Sequence, residues 1–200
     1  MSRFLHVGCG PATQDQTTPG FAGADWQEVR FDIDPSVKPD IVGTMTDMSG
    51  VPDASMDGLF SSHSLEHLYP FETLPALAEF LRVLRPAGFA VITCPDIQSV
   101  AAVVAEGKLL ETLYDSAAGP ISALDVLYGW RPALARGELH MAHRSGFTAD
   151  VLAAVLKHAG FGTVVIRRRP AYFDLWALAA KSPLDRAQAE ALTRAHFPPA

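Results

Sequence analysis

The chain has 200 residues, 48% of them hydrophobic and 19% charged, with a formal net charge of −6. That is enough apolar content for the core of one compact domain and too little length for two full ones. The acidic balance, with a single basic run at 167–169, argues against a nucleic-acid footprint, and the lack of an apolar run of about 18 residues argues against a membrane span. No charged-then-apolar leader opens the chain, so a cytoplasmic protein is expected, in which Cys9 and Cys94 are small apolar fillers and not a bridge.

Strand-like runs occur at 3–8, 28–33, 39–43, 57–62 and 89–94. They are continuous apolar patches, as expected of parallel strands covered on both faces. In FLHVGCGP at 4–11 the first run breaks at Gly8, Cys9 and Gly10, where a missing Cβ lets backbone pass close to a ligand. Asp32, in FDID at 31–34, ends the next run and is placed to accept hydrogen bonds from both hydroxyls of a ribose. The segment between carries Pro11, Pro19, Gly20 and Gly23, so a loop with at most one helical turn is expected where a crossover helix usually stands. Without a helix N-terminus there is no ready pyrophosphate site, and Thr13 occupies the sixth position of the dinucleotide glycine pattern. Both features disfavour a nicotinamide dinucleotide.

A helix is expected over 70–85, with Leu74, Leu77, Ala78, Leu81 and Leu84 on one face and Pro86 and Gly88 closing it. After Cys94 come helical stretches at about 96–107 and 121–128 and a Pro, Gly and Arg-containing segment at 131–146, so that about 95–146 is an inserted lid. Thr148 reads as an N-cap for a helix through Lys157 that Gly160 ends. The runs TVVIRRR and AYFDLWALAAK follow, separated by Pro170 and Ala171, a link too short for a parallel crossover, so the two are antiparallel neighbours. Arg167, Arg168 and Arg169 are expected on a solvated edge, and 181–200 as a short helix and tail, leaving one domain over 1–180.

His63-Ser64-Leu65-Glu66-His67 fits the H-x-x-E-H spacing of zinc peptidases. That geometry needs His63 on a helix, yet it follows DGLFSS at a strand end, and the downstream carboxylates Glu72 and Glu79 belong to the sheet-packing helix. No metal is expected. Glu66 and His67 keep two readings, tying the turn after the strand or acting in the site.

The strings LHVGCGPA, FDIDP, TMTDMS, MDGLFSSHSLEHL, LRVLRPAGF and FTADVLAAVLKHAGF together resemble the class I S-adenosylmethionine-dependent methyltransferases of the methyltransferase type 11 kind, over residues 3 to about 180. The resemblance implies an α/β, Rossmann-like three-layer sandwich with a mostly parallel seven-stranded sheet, its last strand antiparallel, here with a shortened first crossover helix. It implies S-adenosylmethionine as cofactor and a small-molecule or sugar-like acceptor. Gly8, Cys9 and Gly10 would line the methionine part, Asp32 the ribose, Ile33, Thr44, Met45 and Asp47 the adenine, and Ser62 and His63 the neighbourhood of the reactive sulfur. His63, His67 and His143, the last in a family-like H-x-x-x-F-T string, are the catalytic candidates, with Tyr114, Tyr128 and Trp130 as possible walls of the acceptor space. His6 replaces a family acid, and Thr44 stands where another is common, with Asp47 three residues on. These departures motivate an alternative: an inactive, cofactor-binding regulatory protein of the same fold.

Overall fold

Phe4, Leu5, His6 and Val7 are all buried because the strand that carries them, β1 (Ser2–Val7), has neighbours on both edges and packed layers on both faces. The computed structural model describes residues 1–116 and 118–199. After β1 come β2 (Trp26–Asp32), β3 (Ile41–Val42), β4 (Met56–Ser62), helix α1 (Thr73–Val83) and the long strand β5 (Leu84–Pro95). The segment between β5 and the next long helix, read from sequence as a lid and keeping that label, holds α2 (Ile97–Ala105), a small hairpin of β6 (Thr112–Ser116) and β7 (Gly119–Ser122), α3 (Ala123–Tyr128) and α4 (Arg131–Ala135). Helix α5 (Ala149–Ala159), strands β8 (Thr163–Arg169) and β9 (Asp174–Ala180) and helix α6 (Arg186–His196) complete the chain.

The seven-stranded sheet runs β3-β2-β1-β4-β5-β9-β8. β9 is antiparallel to both β5 and β8, and the remaining pairs are parallel. The chain steps outward from β1 to β3 and then returns to lay β4 on the other side of β1. At such a reversal the loops leaving two neighbouring strands diverge, and a crevice opens beyond their carboxyl ends.

One face of the sheet packs against α1 and α5, which share a core with Leu5, Val7, Phe31 and Leu59. The other face is aromatic: Phe4, Phe60 and Phe89 lie under Phe21 and Phe197. Here the β1–β2 crossover supplies only a three-residue 3-10 turn, Gln14–Gln16. Phe21, fully buried, stacks on Phe4 at 4.5 Å and on Phe89 at 5.7 Å between ring centres, and burial of such a ring contributes about 2–3 kcal/mol. A single aromatic loop residue thus covers sheet that a crossover helix would otherwise protect. His196 at the end of α6 closes the same cluster, 4.3 Å from Phe21.

Three local expectations change. The buried stripe of α1 is Thr73, Ala76, Leu77, Phe80 and Val83, while Leu74 and Ala78 face outward and Leu84 opens β5; Phe80, the largest side chain on the helix, takes the sheet-facing position and rotates the stripe. β3 shrinks to two residues. The hairpin β6–β7 takes Ile121 and Ser122 from the expected second lid helix. The arginine run lies on the edge strand β8 as expected, with Arg168 exposed, yet each guanidinium is engaged: Arg167 donates to the Pro198 carbonyl at 2.6 Å, Arg168 to the buried Asp96 carboxylate at 2.5 Å, and Arg169 pairs with Asp174. Asp96 begins α2, so Arg168 fastens the lid to the sheet edge.

Candidate functional site

The carboxyl ends of β1 and β2 are cross-tied. Gly8 and Gly10 sit at φ +66 and +52, backbone that a Cβ would strain, and the amides of Gly8 and Cys9 both donate to the Phe31 carbonyl, at 2.9 and 3.3 Å. The amide of Gly10 donates to Asp32 Oδ2 at 2.7 Å, and that of Asp34 to Oδ1 at 2.9 Å. A carboxylate has about four lone-pair sites, so Asp32 keeps one on each oxygen for further donors. Arg30 adds a 2.5 Å bond from Nη2 to the Gly10 carbonyl, fixing the turn from beneath. On the β4 side the turn is closed by Ser64, whose Oγ would lie 2.3 Å from a Cβ added to Gly8.

Beyond Asp32, Ile33 presents its side chain to solvent, 52% exposed, an uncovered apolar surface beside the carboxylate. Thr44 and Asp47 face each other across a tight turn, joined by a 3.1 Å bond from the Asp47 amide to the Thr44 carbonyl. Asp47 Oδ1 accepts from the Ser49 amide at 3.1 Å, and Met45 is half-buried against the core. The acid absent at His6 reappears across the strand pair: His6 Nδ1 lies 2.6 Å from Glu28 Oε1. Burial drives the His6 imidazole below its ordinary value, against the pull of Glu28. Burial likewise pushes the Cys9 thiol up to about 11, so it is an inert filler. From the lid, the charge of His140 reaches Asp34, whose carboxyl is held low first by hydrogen bonds from Ser36.

The end of β4 carries a second group of polar side chains. Ser62 Oγ is 2.8 Å from Thr93 Oγ1. His63, at φ +50, is half-exposed and places Nδ1 3.3 Å from Glu66 Oε1. Burial opposes charge on this pair, yet mutual attraction prevails, raising His63 and lowering Glu66 relative to their ordinary values. His67, in a short 3-10 turn, is pushed down by burial; its Nδ1 lies 3.2 Å from the Ala142 carbonyl. His143 Nδ1 lies 2.6 Å from the Val126 carbonyl, and the rings of His67 and His143 meet edge to face at 4.9 Å. The amides of Arg144 and Ser145 donate to the Glu66 carbonyl at 2.8 and 3.1 Å, locking lid to turn.

The structure therefore brings His63, His67 and His143 together, and adds Glu66, which is 1% exposed, at their centre. His63 is outside the 3-10 turn that holds Glu66 and His67, so an H-x-x-E-H helix is not formed. The lid aromatics divide: Tyr114 stacks on Phe173 at 6.4 Å, Trp130 lies under Arg136 at 5.2 Å, and Tyr128 is 61% exposed.

Residues 5–92 match the family model of the methyltransferase domain. An S-adenosylmethionine-dependent methyltransferase from Methanosarcina mazei superposes with a TM-score of 0.60 at 13% identity, over 92% of this chain and 93% of that one. Another from Archaeoglobus fulgidus gives 0.59 at 15% identity, over 90% and 86%. The 1,6-didemethyltoxoflavin-N1-methyltransferase of Burkholderia thailandensis, solved with its substrate and S-adenosylhomocysteine, gives 0.55 at 17% identity, over 90% and 71%. No curated protein matches the chain in sequence. At these identities the solved structures establish the fold, which is that of the class I S-adenosylmethionine-dependent methyltransferases, and the family match falls on its first five strands.

Proposed function

We propose that the chain transfers a methyl group from S-adenosylmethionine to a small-molecule acceptor, with the cofactor in the crevice between the ends of β1 and β4. The observation that carries this reading is Asp32: its carboxylate is anchored by the amides of Gly10 and Asp34 and retains one acceptor site per oxygen, the arrangement that two vicinal ribose hydroxyls require. Ile33 and Met45 offer apolar surface for adenine, Thr44 and Asp47 polar atoms for its edge, and the Gly8-Cys9-Gly10 turn admits the amino-acid tail. Ser62, the last residue of β4, and His63 after it would stand beside the sulfur.

The cofactor, when bound, supplies a methyl group on a sulfonium, which a nucleophile displaces in line. What remains for the protein is alignment and exclusion of water, and positioning of this kind can supply about 7–11 kcal/mol of the barrier. The lid, fastened by Arg168 to Asp96 and by the Arg144 and Ser145 amides to Glu66, is the part of the chain suited to cover the acceptor. Where the acceptor must lose a proton, the half-exposed His63 is the group placed to take it or pass it to solvent.

Calorimetry with S-adenosylhomocysteine tests the reading. Binding is expected for the wild-type chain, and Asp32→Asn, which removes the charge on the acceptor, is expected to weaken it about tenfold to a hundredfold, from the roughly 1.5–3 kcal/mol of a charged hydrogen bond. Absence of heat at millimolar ligand, or an unchanged affinity in a folded Asp32→Asn protein, refutes it.

A further inference from the structure

We propose that Glu66, His67 and His143 bind one divalent transition-metal ion of the Zn2+ type on the acceptor side of the crevice. The three side chains offer ligand atoms that all lie within 4.8 Å of one another, a spread that small rotations close onto a single ion. The set is not the H-x-x-E-H series, since His63 is outside it and His143 arrives from the far end of the lid.

The first independent observation is Glu66. Its carboxylate is buried, and neither oxygen has a hydrogen-bond partner among the described residues; His63 reaches only ion-pair distance, 3.3 Å. The His63 pair balances part of the charge but supplies no hydrogen bond to either oxygen, and buried carboxylates are ordinarily hydrogen-bonded or bound to a metal. A second observation lies in the two imidazoles. Nδ1 of His67 faces the Ala142 carbonyl and Nδ1 of His143 the Val126 carbonyl. Carbonyl oxygens only accept, so each Nδ1 carries the hydrogen, which leaves Nε2 as the nitrogen able to offer a lone pair to a metal. An N–H committed to a backbone carbonyl is the usual outer support of a metal-binding histidine.

The frame is also built in advance. Besides the two amide bonds to the Glu66 carbonyl, Arg144 Nη1 donates to the His67 carbonyl at 3.0 Å, so turn and lid hold one another in register. Two imidazole nitrogens and one carboxylate suit Zn2+ or a neighbouring first-row ion, whereas Mg2+ and Ca2+ favour oxygen sets. Three protein ligands leave a position open.

What occupies that position rests on the methyltransferase reading: an acceptor with a hydroxyl or phenolic oxygen. Ligation makes the oxygen more acidic, and its proton leaves to solvent. The oxygen then forms its bond to the methyl carbon as the carbon–sulfur bond breaks, and that electron pair stays on sulfur.

The full chain, stripped with a chelator and freed of it, is titrated with Zn2+ by calorimetry, and S-adenosylhomocysteine is titrated into the same preparation. One saturable equivalent of Zn2+ is expected. Glu66→Gln, close to isosteric, and His143→Ala are expected to weaken it more than about tenfold, beyond the lower end of what an outer-shell substitution costs, while the exposed His158→Ala leaves it unchanged. Co2+ in place of Zn2+ is expected to give the visible absorption of a four- or five-coordinate ion, lost in Glu66→Gln. No saturable Zn2+ binding by the wild-type chain, or equal binding by a folded Glu66→Gln protein, overturns the site. Zn2+ uptake without S-adenosylhomocysteine binding keeps the metal site and removes the methyltransferase reading; the reverse result overturns the metal site alone.

Discussion

Replacing Gly8 with alanine probes the turn on which the crevice depends, and its cost has two separable parts. At φ +66 an alanine takes on left-handed strain of about 1–2 kcal/mol. Its Cβ also stands 2.3 Å from Ser64 Oγ and 3.0 Å from Ser64 Cβ, far inside contact distance for the first. Ser64 is buried and its Oγ donates to the Ser62 carbonyl at 3.2 Å, so relief requires that bond to break and the β4 end to shift, an overpacking cost of about 1–3 kcal/mol. The single variant is therefore expected to lose about 2–5 kcal/mol in urea denaturation. In a Ser64→Ala background the 2.3 Å contact is gone and only the 3.0 Å approach to the Cβ of position 64 remains, so the same substitution is expected to cost less, the dihedral strain plus a small residual contact. The difference between the two losses is the coupling energy of the Gly8–Ser64 contact. A loss below about 0.5 kcal/mol for Gly8→Ala, or the same loss in both backgrounds, refutes this account of the turn.

Arg168→Met leaves the fully buried Asp96 with donors from Ser99 and Gln98 only, and because the Arg168 side chain is 34% exposed the loss is expected at about 1–3 kcal/mol, below that of a fully buried pair. Chemical denaturation showing less than about 1 kcal/mol would remove the strap between lid and sheet. His196, buried among Phe21 and Phe89, has its value lowered by burial from 6.5 to about 4. The unfolded chain therefore binds more protons between those limits, so stability is whole above about pH 6.5 and falls as the pH drops toward 4, by about 3 kcal/mol at most. His196→Gln should flatten that part of the stability profile measured by urea titration at pH 7 and pH 4.5; a wild-type slope unchanged by the substitution contradicts it.

Much of the fold is legible in contiguous residues because it is set by local conformation and connection length. Gly8 and Gly10 mark a turn that bulkier residues cannot adopt without strain, and the prolines and glycines of 11–25 rule out a crossover helix whatever surrounds them. The two-residue separation of the last apolar runs forbids a parallel return, and β8 and β9 pair as antiparallel neighbours. Asp32 is legible for the same reason: it ends a strand that must lie beside the glycine turn.

Side-chain partnerships between distant segments were decided only by the tertiary structure. Glu28 answers His6 because the β1–β2 register lays neighbouring residues on one face, and Arg168 finds Asp96 because β9 carries β8 to the sheet edge beside α2. Phe80 rather than Leu74 meets the sheet because helix rotation follows volume as well as periodicity. Glu66 looks like an ordinary polar residue after a strand until the lid folds back and lays His143 beside it. Such meetings depend on how packed layers dock, and no stretch of contiguous sequence records that.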